Sequence, residues 1–151
     1  KNNSKVLKSD NFNWDEVERK DYKKDTSVYK SVHRYNLLGI RDDEQALNFE
    51  TRYFEVNEGG YTSFEYHRHP HTVIVIRGKG SVILGDEQHS IGTHDVVYIS
   101  PDTTHQFHAD KNEPLGFICV VDRYRDRPTL PDESYIDKHI SKEGIKNKIK
   151  R

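Results

Sequence analysis

A single all-β domain, a small antiparallel barrel of the jelly-roll kind, is the fold class this sequence predicts, and three observations predict it. The 151 residues suffice for one compact core and fall short of two. Apolar residues are only 32% of the chain against 32% charged, and they concentrate between residues 45 and 121. Within that stretch, short runs of β-branched and aromatic residues alternate with turn signals at the spacing of a sandwich or barrel. Closing or doubling such a sheet disposes of its exposed edges. The predicted organisation is an N-terminal arm over 1–40, a barrel over 41–127 and a C-terminal tail over 128–151.

Taken in order, the arm is lysine-rich with scattered apolar anchors such as Phe12, Trp14 and Val17. A short helix is expected near Trp14 to Lys20 and a strand near Ser27 to Leu38, ahead of Gly39. An arm of this kind packs on its own barrel or on a partner's. Leu47 to Val56 reads as a strand ending at a turn, Asn57-Glu58-Gly59-Gly60, with Tyr61 to His67 next. Val73 to Arg77 is closed by Gly78-Lys79-Gly80, which reads as a plain turn because no helix follows it. Ser81 to Leu84 meets Glu87 to Ile91 across Gly85-Asp86, a compact hairpin signal. Asp95 to Ile99, His105 to Ala109 and Leu115 to Val121 complete the set. In the tail, Ile136, Ile140, Ile145 and Ile149 recur among lysines at loosely helical spacing, and a surface helix or frayed end is expected.

Charge argues against two classes of partner. With 24 Lys and Arg against 25 Asp and Glu, the formal charge of -1 gives no general attraction to nucleic acid or to an anionic membrane. No apolar run approaches bilayer-spanning length, and the first thirty residues are charged where a signal peptide needs an apolar region. A lone cysteine, Cys119, forms no internal disulfide, so a reducing, cytoplasmic setting is the expectation.

Seven of the nine histidines fall between residues 67 and 108: His67, His69, His71, His89, His94, His105 and His108. Residues two apart on a strand share a face, so Glu65, His67, His69 and His71 present imidazoles and a carboxylate to one side, bent by Pro70. Imidazole nitrogens with one carboxylate suit Mn, Fe, Co, Ni, Cu or Zn rather than Ca or Mg. His105 follows Pro101-Asp102-Thr103-Thr104 and meets the first cluster only if the barrel brings distant strands together. One divalent transition metal per chain is therefore expected. His89, His94 and His108 are assigned to the surface or to supporting positions.

At these residues the chain resembles the cupin family, whose first motif runs from Gly through His-x-His and a further Glu or His to Gly, and whose second holds Gly, Pro and a last His. Here the first is Gly59-Gly60 through Glu65-Tyr66-His67-Arg68-His69-Pro70-His71 to Gly78, and the second is Gly92, Asp95, Pro101 and His105. The first motif aligns in two ways. His67, His71 and His105 are implied ligands in both, while His69 and Glu65 compete for the remaining place. His69 is preferred, with Glu65 the reserve ligand or general base. The segment Pro114 to Asp122 and the following Arg-Asp-Arg-Pro look like bacterial manganese cupins of the methylthio-xylulose-phosphate methylsulfurylase kind. That resemblance implies manganese, a sugar-phosphate substrate and a thiol acceptor, with Cys119 as the cysteine that engages the methylthio group. Cupins commonly pair edge strands, so a homodimer is expected.

Phosphate recognition calls for basic groups at the barrel mouth, and Arg52, Arg68, Arg77, Arg123, Arg125 and Arg127 are the candidates. Tyr53, Tyr66, Tyr98 and Phe107 could line the pocket, with core packing the preferred role of each. The leading reading is a metal-dependent enzyme acting on a small polar metabolite. Its rivals are a non-catalytic metal- and ligand-binding sensor and an oxygenase using Fe, Ni or Cu.

Overall fold

The computed structural model describes residues 2–22 and 28–151, and these residues hold ten strands followed by two short helices. β1 (Ser9–Asp10) and β2 (Asn13–Trp14) form a small hairpin, and β3 (Arg19–Asp21) pairs with β4 (Lys30–Leu38). The helix expected near Trp14 to Lys20 is replaced by these extended pieces. Asn11, Phe12 and Glu16 take φ of 50°, 59° and 64°, which right-handed helix forbids. Tertiary packing selects this path, because it lays Phe12 and Trp14 on Tyr53, with ring centroids 5.9 and 5.0 Å apart. Of the strand expected from Ser27 to Leu38, Ser27 lies outside the described residues and Lys30–Leu38 is strand.

β5 (Phe49–Tyr61) and β6 (His71–Leu84) are the long members. β7 (Glu87–Gly92), β8 (Val96–Ile99), β9 (His105–Ala109) and β10 (Leu115–Asp122) complete the eight-stranded sheet, all pairings being antiparallel. Its order is β10-β6-β9-β5-β4-β3, and β10 also pairs with β5, which closes the barrel. The first half of β6 pairs with β10 and β8, and its second half with β7 and β9.

Two predicted turns lie inside these long strands. Asn57 to Gly60 is a bulge in β5, where the partner register skips from Val56 to Tyr61. Gly78-Lys79-Gly80 is the bend at which β6 changes partners. A Cβ on Gly78, at φ +67°, would stand 1.8 Å from the Pro114 carbonyl oxygen, so only glycine lets the strand pass there. The strand expected over Tyr61 to His67 is instead an irregular run after Tyr61, tied to the barrel by isolated bridges from Glu65 to His105 and from Tyr66 to Thr129.

Alternation sorts the side chains. In β6, Val73 and Val75 are buried inside while Thr72 and Ile74 face out. In β4, Val32 points into the barrel core, whereas Tyr35 and Leu37 join Tyr53 on the outer face beneath Leu7, Phe12, Trp14 and Val17. Tyr98, expected in packing, is 65% exposed on β8. The tail folds as α1 (Glu133–His139) and α2 (Glu143–Lys146), and is not a merely surface element. Ile136, Ile140 and Ile145 are buried against Phe64 and Ile83, each burial favouring the fold by about 1.5–3 kcal/mol. Among the described residues no helix is long and apolar enough to cross a membrane.

Candidate metal centre and its cavity

The irregular run between β5 and β6 carries Glu65, His67 and His69, the start of β6 carries His71, and the start of β9 carries His105. The bridge between Glu65 and His105 is reciprocal: Glu65 N donates to the His105 carbonyl at 3.2 Å, and His105 N to the Glu65 carbonyl at 2.9 Å. That pairing sets a residue more than thirty positions distant beside the first cluster, as convergence within a barrel requires.

All five predicted residues come together around His67. Two sets of ligand atoms lie within 4.8 Å of one another, His67 with His69 and His71, and His67 with Glu65 and His105. Both contenders for the open place, His69 and Glu65, are therefore at the site. Three of the four rings are fixed in the same way, through Nδ1. Nδ1 of His67 donates to the His69 carbonyl at 2.7 Å, Nδ1 of His69 to Asp126 Oδ1 at 2.9 Å, and Nδ1 of His105 to the Thr103 carbonyl at 2.8 Å. Those acceptors carry no proton, so each Nε2 is left as a lone pair. His71 Nδ1 lies 3.5 Å from Cys119 Sγ, and its Nε2 is 3.2 Å from His69 Nε2. Two nitrogens each ~2.1 Å from one ion and at right angles would stand ~3 Å apart.

The chemistry of the donors fits a transition metal. His67 Nε2 is buried with no hydrogen-bond partner, 3.8 Å from Glu65 Oε2. A buried polar atom without a partner costs free energy that an ion would recover. Burial is the leading cause that lowers the pKa of His69, of His71 and of His105, the last to about 4. Neutral imidazole is the ligating form, so the site is poised to take a cation at neutral pH. Asp126, held well below the usual carboxylate range first by the Arg68 backbone N–H and then by His69, stays ionised as the acceptor that orients His69.

A cavity of about 180 Å³ opens beside the cluster, with His69, His71, His105, Glu65 and Cys119 in its wall. Cys119 is both core and cavity wall: it packs with Val73 and Phe117, and its sulfur also accepts from Arg52 Nη2 at 3.4 Å. Burial pushes its thiol pKa up, against Arg52, which draws it down. Ser63 Oγ donates to Glu65 Oε1 at 2.5 Å, and Tyr22 lies 3.2 Å from Ser63 Oγ as the donor that remains. Burial raises the Tyr22 pKa, so the phenol keeps its proton. Tyr22, Ser63 and Glu65 thus form a hydrogen-bonded line from the arm to the cluster.

Of the six arginines proposed from sequence, Arg52 and Arg125 line the cavity. Arg77 is engaged with Glu55 and stacked over Phe12, Arg123 donates to the Glu44 and Leu47 carbonyls, and Arg68 and Arg127 are exposed. Phe107 is buried and lines the cavity, while Tyr66 stacks on Tyr135. His89 and His94 are exposed, and His108 bonds Gln106 away from the cluster. Sequence reasoning missed Arg34, Tyr22, Ser63, Asp126 and Thr103. Arg34 carried a usable signal, since it alternates with Val32 on the inward face of β4.

A model of the Cupin domain matches residues 52–121. The chain is 36% identical over 124 residues to the 1-methylthio-D-xylulose 5-phosphate methylsulfurylase of Rhodospirillum rubrum, covering 82% of this chain and 77% of that one. A cupin 2 conserved barrel domain protein of Rhodopseudomonas palustris superimposes with a TM-score of 0.82 at 37% identity, covering 91% of this chain and 93% of that one. A cupin 2 domain-containing protein of Halorhodospira halophila gives 0.75 at 38% identity, over 97% and 96%. The closed antiparallel barrel, the histidines gathered in it and these likenesses together make the chain a member of the cupin family.

Proposed function

We propose that this cupin is a metal-dependent enzyme that removes a methylthio group from a phosphorylated ketose, with Cys119 as the first acceptor and a small thiol as the second. The observation that carries the reading is the position of Cys119. The chain's one cysteine faces the cavity with His71 Nδ1 3.5 Å and Arg52 Nη2 3.4 Å from its sulfur. The likeness to a protein named for methylsulfurylase chemistry on a xylulose 5-phosphate supports it.

A bound divalent transition metal, manganese in this reading, would supply Lewis-acid polarisation of the ketone. His67, His69, His71 and His105 would hold it through Nε2, and Glu65 would stand beside them as a further ligand or as a base. With His71 Nε2 so engaged, its proton resides on Nδ1 and points at Cys119 Sγ. Arg52 donates from a second direction. Two cationic or polarised donors favour thiolate over thiol and offset the burial that opposes it.

The Cys119 proton passes to Glu65, and the thiolate attacks the methylthio sulfur. The carbon–sulfur bond breaks, its electron pair moving to the carbon next to the polarised carbonyl. Cys119 then carries the methylthio group as a mixed disulfide, and Glu65 returns the proton to that carbon, giving a methyl ketone. A second thiol attacks the disulfide, leaves as its own methyl disulfide and restores Cys119. Atoms and electrons balance, and no oxygen is consumed. The line through Ser63 to Tyr22 holds Glu65 in place during both transfers.

The test is an anaerobic incubation of metal-loaded protein with 1-methylthio-D-xylulose 5-phosphate and glutathione, followed by mass spectrometry of protein and products. The expected result is a methylated mixed disulfide of glutathione and, with the second thiol withheld, a methylthio adduct on Cys119. Turnover only in air would favour an oxygenase, and binding without turnover would favour a sensor.

A further inference from the structure

Three guanidiniums, from Arg34, Arg52 and Arg125, line one cavity, and their hydrogen bonds do not use them up. Arg125 is committed: its Nη1 donates to Glu50 Oε2 at 2.7 Å and its Nη2 to Glu50 Oε1 at 3.5 Å. Arg52 is 8% exposed, stacks over the Phe54 ring at 4.9 Å, and sends one nitrogen to Cys119. Its Nε is buried without a partner, and so is the Nε of Arg34. The register explains the proximity. Arg34 of β4 stands opposite Phe54 of β5, and Arg52, two residues before Phe54, shares its face. Glu50 is thus hydrogen-bonded to one of the three cations, Arg125, and reaches Arg34 only through its charge, while the cavity's other carboxylate, Glu65, lies in the histidine cluster. Among the described residues neither Arg34 nor Arg52, on adjacent strands, forms an ion pair, and their two buried, unpartnered Nε–H groups are expensive unless an anion joins them.

We propose that Arg34 and Arg52 form the phosphate subsite of this cavity, with Arg34, supplied by the arm rather than by the matched cupin segment, the residue that selects phosphorylated over unphosphorylated substrate. The inference rests on the sugar-phosphate reading above and specifies the residues that read the phosphate. Two positive charges and several unspent N–H donors match a phosphate monoester, which carries about -1.5 to -2 at neutral pH and three acceptor oxygens. A carboxylate offers one charge and leaves a guanidinium unanswered. Burial first, and then the like charges of Arg52 and Arg125, lower the Arg34 pKa, and a bound dianion would offset both.

The test uses the full, metal-loaded chain. Inorganic phosphate and acetate are titrated calorimetrically into wild type, Arg34→Gln and Arg34→Lys, and kcat and KM are measured for 1-methylthio-D-xylulose with and without its 5-phosphate. The expected result is phosphate affinity ~10–100-fold weaker in R34Q and intermediate in R34K, with kcat/KM falling by a similar factor for the phosphorylated ketose only. Wild-type phosphate affinity in a folded Arg34 variant, acetate binding as tightly as phosphate, or an unchanged preference between the two ketoses would overturn the subsite. R34K keeps charge and stem should R34Q fail to fold. Weakened phosphate binding with no turnover of either ketose leaves the subsite standing and removes the methylthio-sugar reading. Turnover with an unchanged preference does the reverse.

Discussion

The interior of the barrel has two ends built on the same strands. At one end Arg52 of β5 stands opposite Cys119 of β10, with His71 at the start of β6 nearby. Four residues along, Val56 stands opposite Leu115, both wholly buried and both apolar. Between the layers lie Phe54 opposite Phe117, with Phe107 stacked on Phe117 at 4.4 Å between centroids. The aromatic layer is a floor: below it the interior is apolar and buried, and above it every polar group has to be answered by another group or by a ligand. The paired segment of β5 and β10 runs in unbroken register from one end to the other, so along it the difference is made by side chains at period two. Stability should reside below the floor and chemistry above it.

Substituting one residue in each layer tests that division. Cys119→Ala should lower methylthio transfer by ~10³-fold or more, since the residue is read as the nucleophile. Its urea midpoint should stay close to wild type. A variant that keeps its turnover would show that the upper layer works without its thiol. Leu115→Ala below the floor should cost about 2–5 kcal/mol in urea unfolding, through lost burial and a cavity, while still binding one metal per chain. If that variant instead loses the metal at unchanged stability, the two ends are coupled and the floor does not separate them. Asp126→Asn touches neither layer directly but removes the carboxylate that fixes the His69 tautomer. Metal affinity should weaken by ~10–100-fold, read by competition with a chelator.

Much of this division was legible in the sequence, and the illegible part has a common cause. The cluster Glu65, His67, His69, His71 and the distant His105 could be listed because ligands are few residue types at short spacing. The barrel could be inferred because alternation and turns are local. What local patterns cannot carry is which glycine makes a turn and which only bends a strand. Gly78 reads as a turn from its neighbours, yet the Pro114 carbonyl, far off in sequence, makes it a bend. The same holds for Arg34: its alternation was visible, but reading the first forty residues as an arm separated it from the site. Trp14 shows the converse, since a helical reading of its neighbours gave way to tilted and edge-on packing against Tyr53 and Tyr35.

Acid should act on the upper layer and, apart from it, on His108, and the sign follows from the imidazoles. In metal-free protein, burial depresses the pKa of His105 from 6.5 to about 4 and lowers those of His69 and His71 as well. Between those values the unfolded chain binds more protons than the native one, so stability rises with pH across the window and is lost as pH falls from about 6.5 toward about 4. His108, lowered to about 4 by its own burial, titrates in the same window away from the cluster, so the comparison is best made in His108→Gln. On that background, urea midpoints measured from pH 7.5 to pH 4 should fall on acidification. Adding Leu115→Ala should displace the whole curve downward and leave its slope alone, because no titrating group changes. Adding His105→Gln should flatten it. A slope insensitive to His105 but altered by Leu115→Ala would mean that the apolar layer, and not the histidine layer, governs the protein's response to acid.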